Sequence, residues 1–543
     1  MEQTKKTSFL KGAAILAAAS LICKVLGVLF RVFAIRILGE EGMYFYEKVY
    51  PTYSWLLIIS SSGIPIAISR MVAARIASGA YREADLVFRK AFRLLFGLGI
   101  LTTAIMFFGA EPIAKYVLDS HDPGMQYALM ALAPALFFTS ILCAYRGYLQ
   151  GLQRMNGTGL SQLAEQIFKM LFGLSLAAIL FRRYSSTPFG AAAGSVGILL
   201  GVTISEALAV GVIYPIYRKE RGLLPSQTDE SRMDGGGIIR DMLAIAIPIT
   251  LGASILPIAN VLDSAMITRL LVGSGIPAVE AERLYVILCT YVRSIINLPA
   301  GISTSLAMAV VPAIAAAATR QERDNVSNLS AMSVKLAMAI GLPCAVGLSV
   351  LARPIIYLLY GSILPRSLET AESLMHIAAF TVVFISLSQT ATGALQGVGK
   401  HRLPVYFLLI GGIMKIVINL VCIPIPEVNI LGAVFSNLAC YGIAGILDTI
   451  VLVKVTNARL SVVNTFIKPI LASAIMGGFA WAVYHGLGHV FDLKRYLLSA
   501  AACVAAILVA MIVYVVLLLA LGIFSREELA RIPGGRKLLR FVK

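Results

Sequence analysis

The stretch FLKGAAILAAASLICKVLGVLFRVFAIRI, residues 9–37, decides the class of the fold. It is an apolar run whose charged members are Lys11, Lys24, Arg31 and Arg36. About 20 apolar residues suffice for a helix to cross the hydrocarbon core of a bilayer. The basic start mimics a secretory signal, but the apolar run continues well past Lys24. We therefore predict a first membrane helix that is retained in the mature chain.

Similar apolar stretches recur along the 543 residues, of which 58% are hydrophobic and only 14% charged. A water-soluble protein could not bury so much apolar surface, so the bilayer must act as the solvent. The predicted fold class is an all-α integral membrane protein of about 14 transmembrane helices. The predicted spans are residues 9–37, 49–71, 91–110, 126–149, 158–180, 190–216, 241–270, 284–311, 331–351, 373–395, 403–424, 430–453, 466–487 and 496–523.

Lysine and arginine are distributed unequally between the two sides of this arrangement. The side that holds both termini carries about 27 of them, and the opposite loops carry about 9. The positive-inside rule therefore places both termini in the cytoplasm of a multi-pass protein of the cell membrane. The same excess accounts for most of the +18 net charge. We expect the basic tail, residues 526–543, to lie on anionic lipid, and we expect no nucleic-acid partner.

The chain matches itself at an offset that drifts between about 233 and 246 residues. The ordered matches include Arg36 with Arg269, Lys169 with Lys415, Glu206 with Asp448, and Leu149-Gln150-Gly151 with Leu395-Gln396-Gly397. We predict two parallel six-helix lobes, residues 1–217 and 241–455, joined by a cytoplasmic linker at 218–240. Residues 456–525 add two further helices. Two similar lobes that rock against each other are typical of transporters.

About ten basic residues fall in or near the predicted spans, against four acids, Glu165, Glu206, Asp263 and Asp448. Charges at bilayer depth usually mark a substrate or ion pathway, so this excess predicts an anionic substrate. Lys24 and Arg31 share one helix face, and Arg293 lies on the eighth span. A pair of cations suits a pyrophosphate, because an arginine fork binds phosphate oxygens bidentately.

Other charges have structural interpretations. Five cations lie near predicted helix ends, where long side chains reach the interface: Arg36, Arg70, Arg146, Arg269 and Lys335. Glu165 and Lys169 are spaced to neutralise each other on one helix. Glu206, Asp448 and Asp263 could carry a coupling proton or sodium ion, or could serve as counter-ions for the cations, and we favour counter-ions.

Four stretches resemble the stage V sporulation protein B family, a Gram-positive, MurJ-like branch of the multidrug/oligosaccharidyl-lipid/polysaccharide exporter superfamily. They are residues 9–12, 27–42, 63–69 and 146–166. The resemblance implies a flippase that moves an undecaprenyl-pyrophosphate-linked sugar, such as lipid II, from the cytoplasmic to the outer leaflet. It implies two lobes arranged as a V, with residues 456–525 forming a groove for the lipid tail. Cell-wall synthesis enzymes and membrane lipids would be its partners.

The sequence departs from the sodium site of some relatives, which uses carboxylates on the seventh and eleventh helices. Asp263 is available on the seventh, but the eleventh offers Lys415 and Asn419. We hypothesise that the Lys415 ammonium replaces a bound sodium. No cofactor is expected, and the coupling would be to the membrane potential, protons or sodium.

Two alternative functions are open. A multidrug or cation antiporter of the same superfamily should favour acidic cavities, against the charge balance found here. A membrane-embedded polysaccharide polymerase or transferase would usually carry a large outer loop with catalytic residues, and none is predicted. His485 and His489 are spaced like metal ligands but have no third ligand nearby, so we interpret them as interfacial packing. The prediction is a transporter that is not an enzyme and holds no metal.

Overall fold

The computed structural model describes residues 2–224, 235–361, 363–492, 495–526 and 528. Every regular element in these ranges is a helix, which confirms the predicted all-α class. The chain forms two compact units. The first comprises Met1–Arg269 and Pro277–Val286, and the second comprises Leu270–Ile276 and Ile287–Lys543.

The first unit is built from ten helices in the described part of the chain. They are α1 Glu2–Ser61, α2 Gly63–Ala77, α3 Tyr81–Phe108, α4 Ala110–Pro112, α5 Pro123–Gly151, α6 Met155–Phe168, α7 Leu174–Tyr184, α8 Gly190–Gly222, α9 Gly235–Gly273 and α10 Ala278–Val286. Two π-helical turns, Ile113–Val117 and Lys169–Gly173, interrupt this series.

The second unit contains nine helices within the described ranges. They are α11 Ser294–Thr319, α12 Arg323–Val350, α13 Ala352–Tyr360, α14 Pro365–Ala378, α15 Thr381–Gly397, α16 Leu403–Cys422, α17 Leu431–Thr456, α18 Lys468–Val490 and α19 Tyr496–Ala520. The π-helical turns here are Ile287–Arg293, before α11, and Val463–Ile467, before α18.

All fourteen predicted spans coincide with helical segments. Eleven of the described helical segments are long and apolar enough to cross a membrane, and α14 with α15, bent by 43°, would make a twelfth. The other two predicted spans lie in α1 and α2. α1 bends at Gly39, whose φ of 68° and ψ of −175° favour glycine. The chain breaks again at Ser62, so the predicted span 49–71 is divided between two helices.

The boundary between the compact units does not fall at the predicted linker, residues 218–240. Ile238, Met242 and Ala246 of α9 belong to the core formed with α2, α3, α5 and α8, so α9 packs largely within the first unit. The close packing of α9 against the start of α2 requires glycine at position 63, because a Cβ there would collide with the Ala246 carbonyl. Linker residues 225–234 and tail residues 529–543 lie outside the described part of the chain. The sequence duplication stays a prediction.

Helix α8 crosses the π-helical turn Lys169–Gly173 at very short range, and this crossing can be tested. A Cβ at Gly201 would collide with the backbone of Gly173, so Gly201→Ala forces two backbones apart. We expect a loss of about 2 kcal/mol in unfolding free energy, typical of overpacking. Gly211→Ala on the same helix is the matched control, because nothing lies within 4 Å of its Cβ. Equal thermal melting of both variants in detergent would contradict the close crossing.

Candidate functional site

Arg31 and Glu47 form an ion pair across the bend in α1. Arg31 precedes Gly39 and Glu47 follows it, and their side chains approach to 3.6 Å between Nη2 and Oε2. The Glu47 side chain is only 6% exposed, and that of Arg31 is 19% exposed. Glu47 was missed in the sequence because it lies between two predicted spans. Its burial shows that α1 continues as an ordered, protein-covered helix through that region.

Lys169 lies in a cage of aromatic rings that all belong to α1. Its Nζ lies 4.6 Å from the centre of the Phe30 ring, 5.3 Å from that of Tyr50 and 5.9 Å from that of Tyr46. Nζ also donates to the Tyr46 hydroxyl at 3.4 Å. Ring faces attract cations through their quadrupole, and more strongly where water is excluded. Lys169 is buried and interacts electrostatically with Arg31.

The predicted neutralisation of Lys169 by Glu165 is wrong. No ion pair joins Lys169 to a carboxylate in the part of the chain that the structure describes, and Glu165 pairs instead with Arg146 at 2.9 Å. Arg146 Nε also donates to the Ser161 hydroxyl at 3.0 Å. Because α5 packs against α6 and α8, Glu165 pairs with Arg146 of α5 and not with Lys169, which follows four residues later in the chain.

Arg146 therefore does not reach the interface as predicted, since its side chain is only 13% exposed. Glu206 on α8 is repelled by Glu165 but attracted by Arg146, and the attraction fits the counter-ion interpretation for Glu206. Lys335 is the second exception, buried against Glu528 in the second unit. The other three cations assigned to helix ends, Arg36, Arg70 and Arg269, are exposed.

Lys48 is a buried cation that sequence reasoning did not single out. It is 0% exposed, and its Nζ donates to the Ser264 carbonyl and the Thr268 hydroxyl, both at 2.5 Å. Its ammonium also lies over the rings of Tyr44 and Tyr285, at 5.7 and 5.6 Å. Lys48 thus ties α1 to α9 and α10 within the first unit. The tyrosines clustered at 44–53 were the available signal.

The remaining predicted cations are placed differently. Lys24 is exposed on α1, Arg293 is half-buried at the end of its π-helical turn, and Lys415 is buried on α16 with Asn419 one turn later. Asp263 is buried in the first unit, whereas Lys415 belongs to the second. The replacement of sodium by Lys415 stays a prediction.

Asp448 on α17 does not fit the counter-ion interpretation. It is 1% exposed, and its Oδ2 accepts a hydrogen bond from the Thr392 hydroxyl at 2.9 Å. No described cation pairs with it, and its Oδ1 has no hydrogen-bond partner. At the offset that aligns Leu149 with Leu395, Thr392 stands where Arg146 stands in the first repeat. The two repeat-equivalent acids therefore have different surroundings.

His485 has a packing role in the structure. Its ring stacks on Trp481 with centroids 4.5 Å apart, and its Nδ1 lies 3.0 Å from the Trp481 carbonyl. Among the described residues, no three His, Cys, Asp or Glu side chains come together as a metal site.

Long apolar helices with charged side chains buried among them are typical of multi-pass membrane transporters. The chain belongs to the polysaccharide biosynthesis protein family, whose model matches residues 9–318, more than half of its length. The MatE family model matches residues 289–421.

Relatives span nearly the whole chain. Stage V sporulation protein B of Bacillus subtilis (strain 168) is 24% identical, over 98% of this chain and 100% of that protein. Lipid II flippase MurJ of the same strain is 24% identical, over 97% of this chain and 98% of that protein.

Two solved structures share the fold. A lipid II flippase MurJ in an inward closed conformation has a TM-score of 0.66 at 14% identity, covering 94% of this chain and 99% of that one. An inward-facing multidrug resistance MATE family transporter of the MOP superfamily has a TM-score of 0.64 at 15% identity, covering 82% and 98%. The predicted resemblance is confirmed, and the chain is a multi-pass MOP superfamily transporter.

Proposed function

We propose that this transporter is a flippase for an undecaprenyl-pyrophosphate-linked sugar, lipid II or a related wall precursor, moved from the inner to the outer leaflet by alternating access. The observation that carries the proposal is that Lys169 lies against Phe30 and Tyr46, the residues that precede Arg31 and its partner Glu47 in the chain. Lys169 is buried among aromatic rings without an ion pair to a described carboxylate. An ammonium and a guanidinium in one site favour a ligand with two negative charges.

We propose Lys169, in place of Lys24, as the cation that acts with Arg31. Lys24 shares its helix face but is exposed, whereas Lys169 is buried and interacts electrostatically with Arg31. We propose that Arg31 supplies the bidentate fork and Lys169 a fixed point charge. Glu47 orients Arg31 until the substrate phosphate competes for it. Arg293 and Lys415 are proposed as further cations on the pathway. The name of one relative, lipid II flippase MurJ, agrees with such a substrate.

A multidrug or cation antiporter is the second candidate, supported by the MatE match and by the MATE fold. It would favour a cationic substrate, which adjacent cations repel. A polymerase or transferase is a third alternative that no described constellation supports. We further propose that both termini are cytoplasmic and that the protein works with cell-wall synthesis enzymes.

Reconstituted protein tests the proposal through translocation of fluorescent lipid II. We expect Arg31→Ala and Lys169→Gln each to lower the initial rate about tenfold or more, because each removes a charged hydrogen bond to phosphate. Arg293→Ala is expected to have a smaller effect in the same direction. Lys24→Gln tests whether Lys24 or Lys169 acts together with Arg31. Lys115→Gln, at an exposed lysine, is the matched control. Wild-type rates for both Arg31→Ala and Lys169→Gln, or transport of organic cations instead, would refute the assignment.

Asp448 is the proposed ion-coupling residue, because it is buried and no cation pairs with it among the described residues. In vesicles with an imposed proton gradient, we expect Asp448→Asn to abolish the acceleration by the gradient while the basal flipping rate is kept. Asparagine keeps the shape and can still accept from Thr392, so folding should survive. Lys415→Ala is measured alongside, with and without sodium. A gradient response retained by Asp448→Asn would exclude this residue.

A further inference from the structure

A polar cavity opens in the second unit, where several helices end together. Its volume is about 280 Å³, near the lower end of the range for small-molecule sites. It is lined by α12, by the chain between α17 and α18, and by the chain after α19. Because these helices cross the membrane, their shared end lies at the membrane–water interface.

The side chains that line the cavity are suited to binding an anion. Lys335 and Arg459 supply two cations, and Ser461, Asn464 and Thr465 supply polar side chains. The last three form the start of the helical segment that leads into α18. The Asn464 backbone nitrogen donates to the Ser461 hydroxyl oxygen at 3.4 Å. The N-terminus of a long helix carries a positive partial charge that adds to that of the side chains.

An internal carboxylate already occupies part of this cavity. Glu528 accepts from Lys335 Nζ at 3.0 and 2.8 Å, while Lys335 lies 5.1 Å from the centre of the Phe524 ring. Glu528 also accepts from the Ser525 backbone nitrogen at 2.7 Å, and its own nitrogen donates to the Ser525 hydroxyl at 3.2 Å. This reciprocal pair is a capping box. The cavity therefore binds a carboxylate in the structure as it stands.

Arg459 is the cation of this cavity that has no acidic partner among the described residues. It is exposed and lines the cavity, and it forms no ion pair with any acid that the structure describes. With Lys335 matched by Glu528, one positive charge, a helix N-terminus and several hydroxyl groups remain. A phosphate group has more acceptor oxygens and more charge than one carboxylate, so it can engage both cations at once.

We propose that this cavity is a phosphate-binding site at the membrane surface, and that Glu528 is an internal competitor that holds Lys335 when phosphate is absent. The site is separate from Arg31 and Lys169, and it does not depend on the proposed transport function. The phosphate can belong to an anionic phospholipid headgroup or to free phosphate, and the test distinguishes them.

The test is a thermal-melting titration of the full-length protein in a neutral detergent. The ligands are sodium phosphate and short-chain phosphatidylglycerol, with short-chain phosphatidylcholine as the uncharged comparison. We expect Glu528→Gln to lower the half-maximal ligand concentration about tenfold, because it removes the competing charge. Arg459→Gln should raise it about tenfold.

Lys454→Gln is the matched control, since Lys454 is exposed near the same end of α17 but does not line the cavity. An unchanged titration for Lys454→Gln together with a weakened one for Arg459→Gln supports the site. Stabilisation by phosphatidylglycerol alone identifies a lipid headgroup, and stabilisation by sodium phosphate identifies a free ion. If no anion stabilises either the wild type or Glu528→Gln, or if Arg459→Gln and Lys454→Gln titrate alike, the proposal is overturned.

Discussion

Arg146→Ala should lower the free energy of unfolding by about 3 to 5 kcal/mol, the range for breaking one side of a buried ion pair. The loss arises because Glu165 keeps its charge but loses the guanidinium at 2.9 Å and stays surrounded by protein. Glu206 would lose the same cation, which adds to the cost. Thermal or denaturant-induced unfolding in detergent would measure the change.

The exposed pair Arg353 and Glu372 provides the matched control, because its N···O distance is also 2.9 Å but the Arg353 side chain is 54% exposed. Arg353→Ala should cost less than about 1 kcal/mol. The double variant Arg146→Ala with Glu165→Gln should recover part of the loss, since it removes the stranded charge. If the two arginine variants melt at the same temperature, burial does not govern the Arg146 pair.

Lys48→Ala should cost about 3 kcal/mol, as expected for deleting a fully buried side chain. The variant loses two hydrogen bonds to α9 and the contacts with two tyrosine rings. Glu282, which interacts electrostatically with Lys48, would lose a neighbouring cation. The unfolding free energy in detergent is again the measured quantity.

Lys48→Met separates the two contributions, because methionine keeps most of the volume but has no charge. We expect it to lose about half as much stability as Lys48→Ala. Lys115→Ala, at an exposed lysine, should stay within about 0.5 kcal/mol of the wild type. A Lys48→Ala variant as stable as Lys115→Ala would show that this connection between α1 and α9 carries no free energy.

The sequence predicted the helices well, because an apolar run of membrane length has few other solutions. It predicted their interruptions poorly. The break at Ser62 precedes Gly63, which approaches the Ala246 carbonyl of α9 closely, and no local pattern records that fit. Among the candidate site residues, Arg31, Lys415 and Asp448 were singled out because charges stand out in apolar stretches, and their roles stay predictions.

The partners of those charges could not be read from the chain. Spacing within one helix suggested Glu165 for Lys169, yet Arg146 on α5 takes the carboxylate and aromatic rings from α1 surround the ammonium. Lys335 was expected at an interface but is bound by Glu528, almost two hundred residues away. A buried charge interacts with the polar or aromatic groups that the packing brings nearest, because water is not available to solvate it.

By itself, the sequence determined that this protein is a helical, multi-pass membrane protein. The length of an apolar run and the charges within it can be read from consecutive residues, and both are constrained by the low dielectric constant of the bilayer. Only the tertiary structure decided that Lys169 lies among the aromatic rings of α1, that Lys48 joins α1 to α9, and that Glu528 binds Lys335 in a cationic cavity. These contacts join residues distant in sequence. Their energies depend on distance and on the exclusion of water, which are properties of the packed helices.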